Sequence, residues 1–129
     1  MLLPLKISLG FIALLFPILS FACTGGTNFG SLTPTTTFQT QAVQDGQYYT
    51  ANVTCGTTYT FTFCNNGGSS GSLFPEITIL DATGTVEHAF SPYVGGCSEL
   101  IWTAPFTGSI RILITDSGCF TGMTYNGTM

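Results

Sequence analysis

The feature that most limits the possible folds of this chain is a period-two alternation of apolar and polar residues. It is clearest over Thr57–Cys64, where Tyr59, Phe61 and Phe63 alternate with threonines. Successive side chains of a β-strand point to opposite faces of a sheet, so this segment predicts a strand with one aromatic and one hydroxylated face. Because no segment after residue 22 shows the periodicity of an amphipathic helix, the chain is predicted to be all-β.

Similar short segments recur along the chain, separated by turn signals such as Asp45-Gly46 and Asp81-Ala82-Thr83-Gly84. This spacing is typical of an antiparallel β-sandwich, which we expect to have about seven or eight strands. The other predicted strands are Gln47–Val53, Glu76–Leu80, Val86–Phe90, a segment around Leu100 and Trp102, Ile110–Ile114, and a short one near Met123–Tyr125.

The alternation also predicts which side chains form the core. Arg111 and Leu113 are expected on the face opposite to their neighbours in the strand. The expected inward-facing residues are Tyr59, Phe61, Phe63, Ile77, Ile79, Leu100, Trp102, Ile110, Ile112 and Ile114. Ten large side chains are enough for the core of a small sandwich.

The N-terminus has the pattern of a signal peptide. Lys6 precedes an apolar run that ends at Ser20-Phe21-Ala22, so we expect cleavage after Ala22 and a secreted or cell-surface protein, with the periplasm as an alternative. Residues 23–37 are predicted to form an extended arm rich in Thr and Gly, and 38–129 a single β-sandwich domain. Cys23, the first mature residue, leaves open a lipid anchor, although Phe21 fits the lipoprotein cleavage motif poorly.

All five cysteines follow the predicted cleavage site, and they are Cys23, Cys55, Cys64, Cys97 and Cys119. In an exported protein such cysteines indicate disulfides, and an odd number leaves one over. If the strands that flank Cys64 and Cys97 are antiparallel neighbours, these two cysteines and Cys119 lie at one end of the sandwich. We favour a Cys64–Cys97 bond, with Cys97–Cys119 as the rival, and a Cys23–Cys55 bond could join the arm to the opposite end.

Charge and catalytic residues exclude several functions. After the signal peptide the chain has one basic residue, Arg111, and six acidic residues. Neither nucleic acid nor an anionic membrane surface is therefore an expected partner. His88, the single histidine, has no nucleophile beside it, and we predict a protein that is not an enzyme and has no cofactor. A structural calcium ion on Asp45, Asp81 or Asp116 is the alternative, but aspartates are common in turns for local hydrogen bonding.

Aromatic residues outside the core are the candidate ligand contacts. Trp102 alternates with Leu100 and is therefore expected in the core. Tyr93 lies in the loop before Cys97, and either Tyr48 or Tyr49 must point outward because they are adjacent in a strand. These three tyrosines are the predicted ligand-binding residues.

Four segments in order resemble a known family. They are Gly46-Gln47-Tyr48-Tyr49, Gly56–Phe61, Ile77–Thr85 and Trp102–Ile114. This series resembles the pre-peptidase C-terminal-type jelly-roll modules of secreted Bacteroidetes proteins. The resemblance implies a jelly-roll-like sandwich that serves as a non-catalytic accessory domain. Residues 91–96 lack the acidic turn that such modules commonly carry before the cysteine matching Cys97, so the resemblance implies no metal site there.

The sequence therefore predicts a secreted, non-catalytic binding or adhesion module that contacts glycan or protein through loops at one end of the sandwich. The alternative is a structural or assembly subunit whose N-terminal arm adds a strand to a neighbour's sheet.

Overall fold

The computed structural model describes residues 23–119 and 126–129, and in them it contains nine β-strands and no helix. The predicted signal peptide and the strand predicted near Met123–Tyr125 lie outside these residues. The strands are β1 (Thr27–Leu32), β2 (Ala42–Gln44), β3 (Gln47–Val53), β4 (Thr58–Thr62), β5 (Pro75–Asp81), β6 (Glu87–Ser91), β7 (Glu99–Thr103), β8 (Gly108–Asp116) and β9 (Asn126–Thr128). No helix of the described residues is long and apolar enough to cross a membrane.

The larger layer is a five-stranded sheet in the order β1-β3-β8-β5-β6. Its centre is β8, whose apolar sequence suits a strand that is covered on both faces. It pairs antiparallel with β3 and β5, whereas β1 lies parallel to β3. The sheet is therefore mixed, because the segment predicted to be an extended arm supplies a parallel edge strand.

The second layer consists of two strand pairs, β4 with β7 and β2 with β9, both antiparallel. Side chains from both layers form one apolar cluster, which includes Ile79 and Ile112 from the large sheet and Val43 and Trp102 from the second layer. This arrangement confirms the prediction of an all-β, sandwich-like, disulfide-linked fold. β1 and β2 raise the number of strands above the expected seven or eight.

The predicted core is largely confirmed. Eight of the ten expected residues are buried, namely Phe63, Ile77, Ile79, Leu100, Trp102, Ile110, Ile112 and Ile114. Tyr59 and Phe61 point the same way and pack against this cluster, but they are only partly buried. They border an open cleft, which is described below.

A second, smaller core lies on the outer face of the large sheet. Leu113 points to this face, as the alternation predicts, yet it is 0 % exposed and packs with Leu80 and Cys23. The N-terminal segment, residues 23–26, covers Leu113 so closely that a Cβ on Gly26 would lie 2.6 Å from Leu113 Cδ1. Gly26 also has a φ of 88°, a conformation that favours glycine.

The disulfides are Cys64–Cys97, as predicted, and Cys23–Cys119. The Cys23–Cys55 bond that the sequence left open does not form, and Cys55 is an exposed free thiol. Strand register explains the error: Cys23 precedes β1, which begins beside Gln47, whereas Cys55 follows the far end of β3. Because Gln47 pairs with Ile114 near the end of β8, Cys23 and Cys119 lie at the same end of the sheet.

The Cys23 sulfur is bonded to Cys119. A sulfur in a disulfide cannot also carry a lipid thioether, so this bond and a lipid anchor at Cys23 exclude each other. The two bonds together indicate folding in an oxidising environment.

Candidate functional site

The structure does not bring the three predicted ligand-binding tyrosines together. Tyr49 is buried in the main core, where its hydroxyl donates to the Ala42 carbonyl at 2.6 Å and burial raises the pKa of the phenol. Tyr48 lies on the outer face of the sheet, with the Arg111 guanidinium 4.5 Å from the centre of its ring. One of the two points outward as predicted, but a cation covers its ring.

Tyr93 lies in the loop that follows β6, in a small apolar patch. Its ring meets Phe74 edge-on, with the centroids 5.1 Å apart. Phe74 is 52 % exposed and Val94 is 70 % exposed. The Tyr93 ring is therefore held by an aromatic neighbour at one end of the sandwich, and the patch offers apolar contact.

The aspartates considered for calcium do not form one site. Asp45 Oδ1 accepts from the Asp116 amide at 2.9 Å, and Asp116 Oδ1 accepts from the Phe74 amide at 2.8 Å. Asp81 lies at the other end of β5 from Pro75, which pairs with Asp116, and is therefore roughly 20 Å away. Two of these carboxylates connect chain segments near the Asp45 turn, and the third acts elsewhere.

Asp81 organises the predicted Asp81-Ala82-Thr83-Gly84 turn. Its carboxylate accepts from the Thr83 hydroxyl at 2.6 Å and from the amides of Thr85 and Val86 at 2.8 and 3.0 Å. These bonds, that of Thr83 first, hold the pKa of the Asp81 carboxyl well below its usual range. Gly84 has a φ of 79°, as the turn requires.

A different group of metal-binding residue types is close together in the described part of the chain: Cys23, Glu76 and Cys119. Both sulfurs belong to the disulfide. Glu76 Oε2 accepts from the amides of Gly118 and Cys119 at 3.1 and 3.3 Å, so the carboxylate holds the loop that carries Cys119. In the oxidised protein this group is structural.

His88 and Trp102 have packing roles. Trp102 is buried, which confirms its assignment to the core. The partly buried His88 ring lies 4.9 Å from the Phe106 centroid and 6.4 Å from that of Trp102. The imidazole is thus placed among aromatic rings.

A cleft of about 560 Å³ lies between residues 32–41 and β4, and we call it the threonine cleft. Eight of its lining residues are threonines. The lining comprises residues 32–39 and Gln41 on one side, Thr54 and residues 57–61 on the other, and Ala51 and Met129.

The cleft runs along the edge of β4 and not over one of its faces. Five consecutive residues, 57–61, line it. Side chains of a strand alternate between faces, so a surface that contacts both Thr60 and Phe61 must lie beside the strand. Within the described residues β4 pairs only with β7, and this edge carries no other strand.

The opposite wall is held together by its own side chains. Gln39 Nε2 donates to the Thr33 carbonyl and to Thr35 Oγ1, both at 2.9 Å. Thr35 Oγ1 in turn donates to the Thr37 carbonyl at 2.7 Å. Among the described residues, no backbone hydrogen bond joins residues 33–39 to β4. The two walls therefore face each other across an open space.

The cleft is lined both by hydroxyl and amide groups and by apolar side chains, among them Phe38 and Phe61. Among the described residues, no Asp, Glu, Lys, Arg or His lines it, and the Tyr59 phenol accepts from the Thr54 amide at 2.9 Å. Hydroxyl and amide groups surround apolar surface from Tyr59 and Phe61. This site was not predicted from the sequence, although four of its threonines (positions 33, 35, 36 and 37) lie in the predicted Thr-rich arm.

Comparison with known families gives one match. A family model described as a domain of unknown function (DUF8695) matches residues 38–129. The chain belongs to this family. The match includes strands β2 to β9, and thus β4, but not β1. No curated protein and no solved structure matched the chain significantly.

Proposed function

We propose that the protein is an exported, non-catalytic binding module that holds an uncharged, chain-like ligand in the threonine cleft. The observation that carries this proposal is the composition of the cleft. It combines hydroxyl and amide groups with partly exposed aromatic surface, and no charged side chain is present among its described lining residues. Ligand sites of this size typically join apolar surface with a few polar groups.

Export is supported by two independent features. Residues 1–22 have the pattern of a signal peptide. The two disulfides are of the kind that persists in secreted or cell-surface proteins. The resemblance to pre-peptidase C-terminal-type modules supports a binding role in place of catalysis.

The shape of the cleft favours a linear ligand. One wall of the cleft follows the edge of β4, and each wall is formed by consecutive residues, 57–61 on one side and 32–39 on the other. A neutral oligosaccharide and an uncharged polypeptide segment both meet these requirements. A charged ligand would lose hydration without gaining an ion pair.

The alternative role, strand addition by the N-terminal arm to a neighbour, would require a rearrangement. Residues Thr27–Leu32 already form β1 in the protein's own sheet, paired with β3. The Cys23–Cys119 bond anchors the start of this segment. The arm would have to leave β3 before it could serve another molecule.

A blocking variant tests the cleft. Thr57→Trp places an indole on the cleft wall, and Ile101→Trp is the matched control on the exposed face of β7 outside the cleft. The mature protein and both variants are tested on arrays of neutral oligosaccharides and of uncharged octapeptides. We expect binding that Thr57→Trp abolishes and Ile101→Trp retains. Binding that survives Thr57→Trp but is lost in Tyr93→Ala would place the site in the Tyr93 patch and refute the proposal.

A further inference from the structure

We infer that the ligand of the threonine cleft is an extended, uncharged polypeptide segment that pairs with the free edge of β4. This inference rests on the proposed function and names the class of its ligand. It follows from the hydrogen-bond pattern of β4, from the position of the cleft along that strand, and from the absence of charge.

The hydrogen-bond pattern determines which backbone groups of β4 are available. The Phe63 amide donates to the Ser98 carbonyl at 2.8 Å, and the Ala104 amide donates to the Thr57 carbonyl at 3.0 Å. In an antiparallel pair, hydrogen-bonded and non-hydrogen-bonded residues alternate. Odd-numbered residues of β4 therefore bond to β7, while the amides and carbonyls of Thr58 and Thr60 point away from it.

These outward-pointing groups lie along the threonine cleft. Thr58 and Thr60 are both lining residues, and the cleft extends along the side of the strand opposite to β7. An added strand lies about 4.8 Å from its neighbour, and the cleft separates β4 from a wall with which it shares no backbone bond among the described residues. A peptide strand is the ligand whose own backbone offers donors and acceptors with the same period.

Side chains of the added strand would alternate between two environments. One set would point inward beside Tyr59 and Phe61, which are partly buried against the core. The other set would lie beside the exposed side chains of Thr58 and Thr60. We therefore expect a segment that alternates apolar and small hydroxylated residues. The described lining side chains carry no charge, so none of them is a counter-ion for Lys, Arg, Asp or Glu in the segment.

Two substitutions of Thr60 distinguish pairing through the backbone from recognition of the threonine hydroxyl. Thr60→Pro removes an amide that β7 does not use, and proline is tolerated where a strand edge faces outward. Thr60→Val keeps the amide and removes the hydroxyl. For the tightest-binding uncharged octapeptide, we expect Thr60→Pro to weaken affinity by at least about tenfold and Thr60→Val to change it by less than about threefold. Thr58→Pro is the second variant, and thermal unfolding shows that each variant is folded.

A chemical change in the peptide gives the same test without altering the protein. Methylation of alternate backbone nitrogens should abolish binding in one register and leave it in the other, because only one set of amides faces β4. Equal effects in both registers would overturn the inference. The inference would also be overturned if no peptide bound and neutral oligosaccharides bound instead, with their binding lost in Thr57→Trp and Thr60→Val. That result would still leave the cleft as the binding site. Failure of both ligand classes to bind would refute the proposed function itself.

Discussion

The Cys23–Cys119 bond should be a major source of stability, and its size can be worked out from the loop that it closes. The bonded residues are 96 apart in sequence, and the Cys64–Cys97 bond shortens this loop by about 33 residues. The chain-entropy model gives about 4 kcal/mol for a loop of the remaining length. We therefore expect Cys23→Ala/Cys119→Ala to lower the free energy of unfolding by about 4 kcal/mol.

The assay is urea unfolding without reductant, followed by the fluorescence of Trp102, the single tryptophan, which is buried. The control is Cys55→Ala, which removes an exposed free thiol and should change the free energy of unfolding by less than about 0.5 kcal/mol. A loss below about 1 kcal/mol in the double variant would refute the loop argument. Mass spectrometry that found Cys23 joined to Cys55, or carrying a lipid, would refute the pairing.

Three further predictions test other parts of the account. Leu113→Ala should lower the free energy of unfolding, measured in urea, by about 3 kcal/mol, because this residue on the outer face of the sheet is fully buried. A loss below about 0.5 kcal/mol would show that the N-terminal segment does not cover Leu113. Asp81→Asn should flatten the pH dependence of Tm, because the Thr83 hydroxyl and two backbone amides lower the pKa of Asp81 in the folded state. The stabilisation by the Asp81 carboxylate is therefore present above the unfolded pKa of about 4 and is lost as the pH falls further. Parallel curves of Tm against pH for wild type and variant would contradict this. Gln39→Leu removes the bonds that hold Thr35 in the cleft wall and should weaken ligand binding with little change in Tm; unchanged affinity would show that this wall does not position the ligand.

The inner faces of the strands could be predicted because the information is local. The isoleucines of β8 alternate with Arg111 and Leu113, and a strand converts that alternation directly into two faces. The Cys64–Cys97 bond followed from the expectation that the adjoining strands are neighbours. The turn at Asp81–Gly84 followed from residue types that favour it.

The rest depends on contacts between distant residues. β1 contains Gly30 and Asn28 and has no clear alternation, so its strand conformation comes from pairing with β3 and not from its own sequence. Burial of Leu113 results from the N-terminal segment, which is fixed by Cys119 at the far end of the chain. The threonine cleft arises where residues 32–41 and 54–61 face each other, and neither segment alone indicates a site.

Pairing of a peptide strand with the edge of β4 can be observed directly. The most direct test is amide hydrogen exchange, measured residue by residue in the mature protein with and without the tightest-binding octapeptide. We expect the amides of Thr58 and Thr60 to exchange rapidly in the free protein and to become protected on binding, whereas the amide of Phe63, already bonded to Ser98, should change little. Binding that leaves Thr58 and Thr60 unprotected while altering the loop around Tyr93 would contradict it.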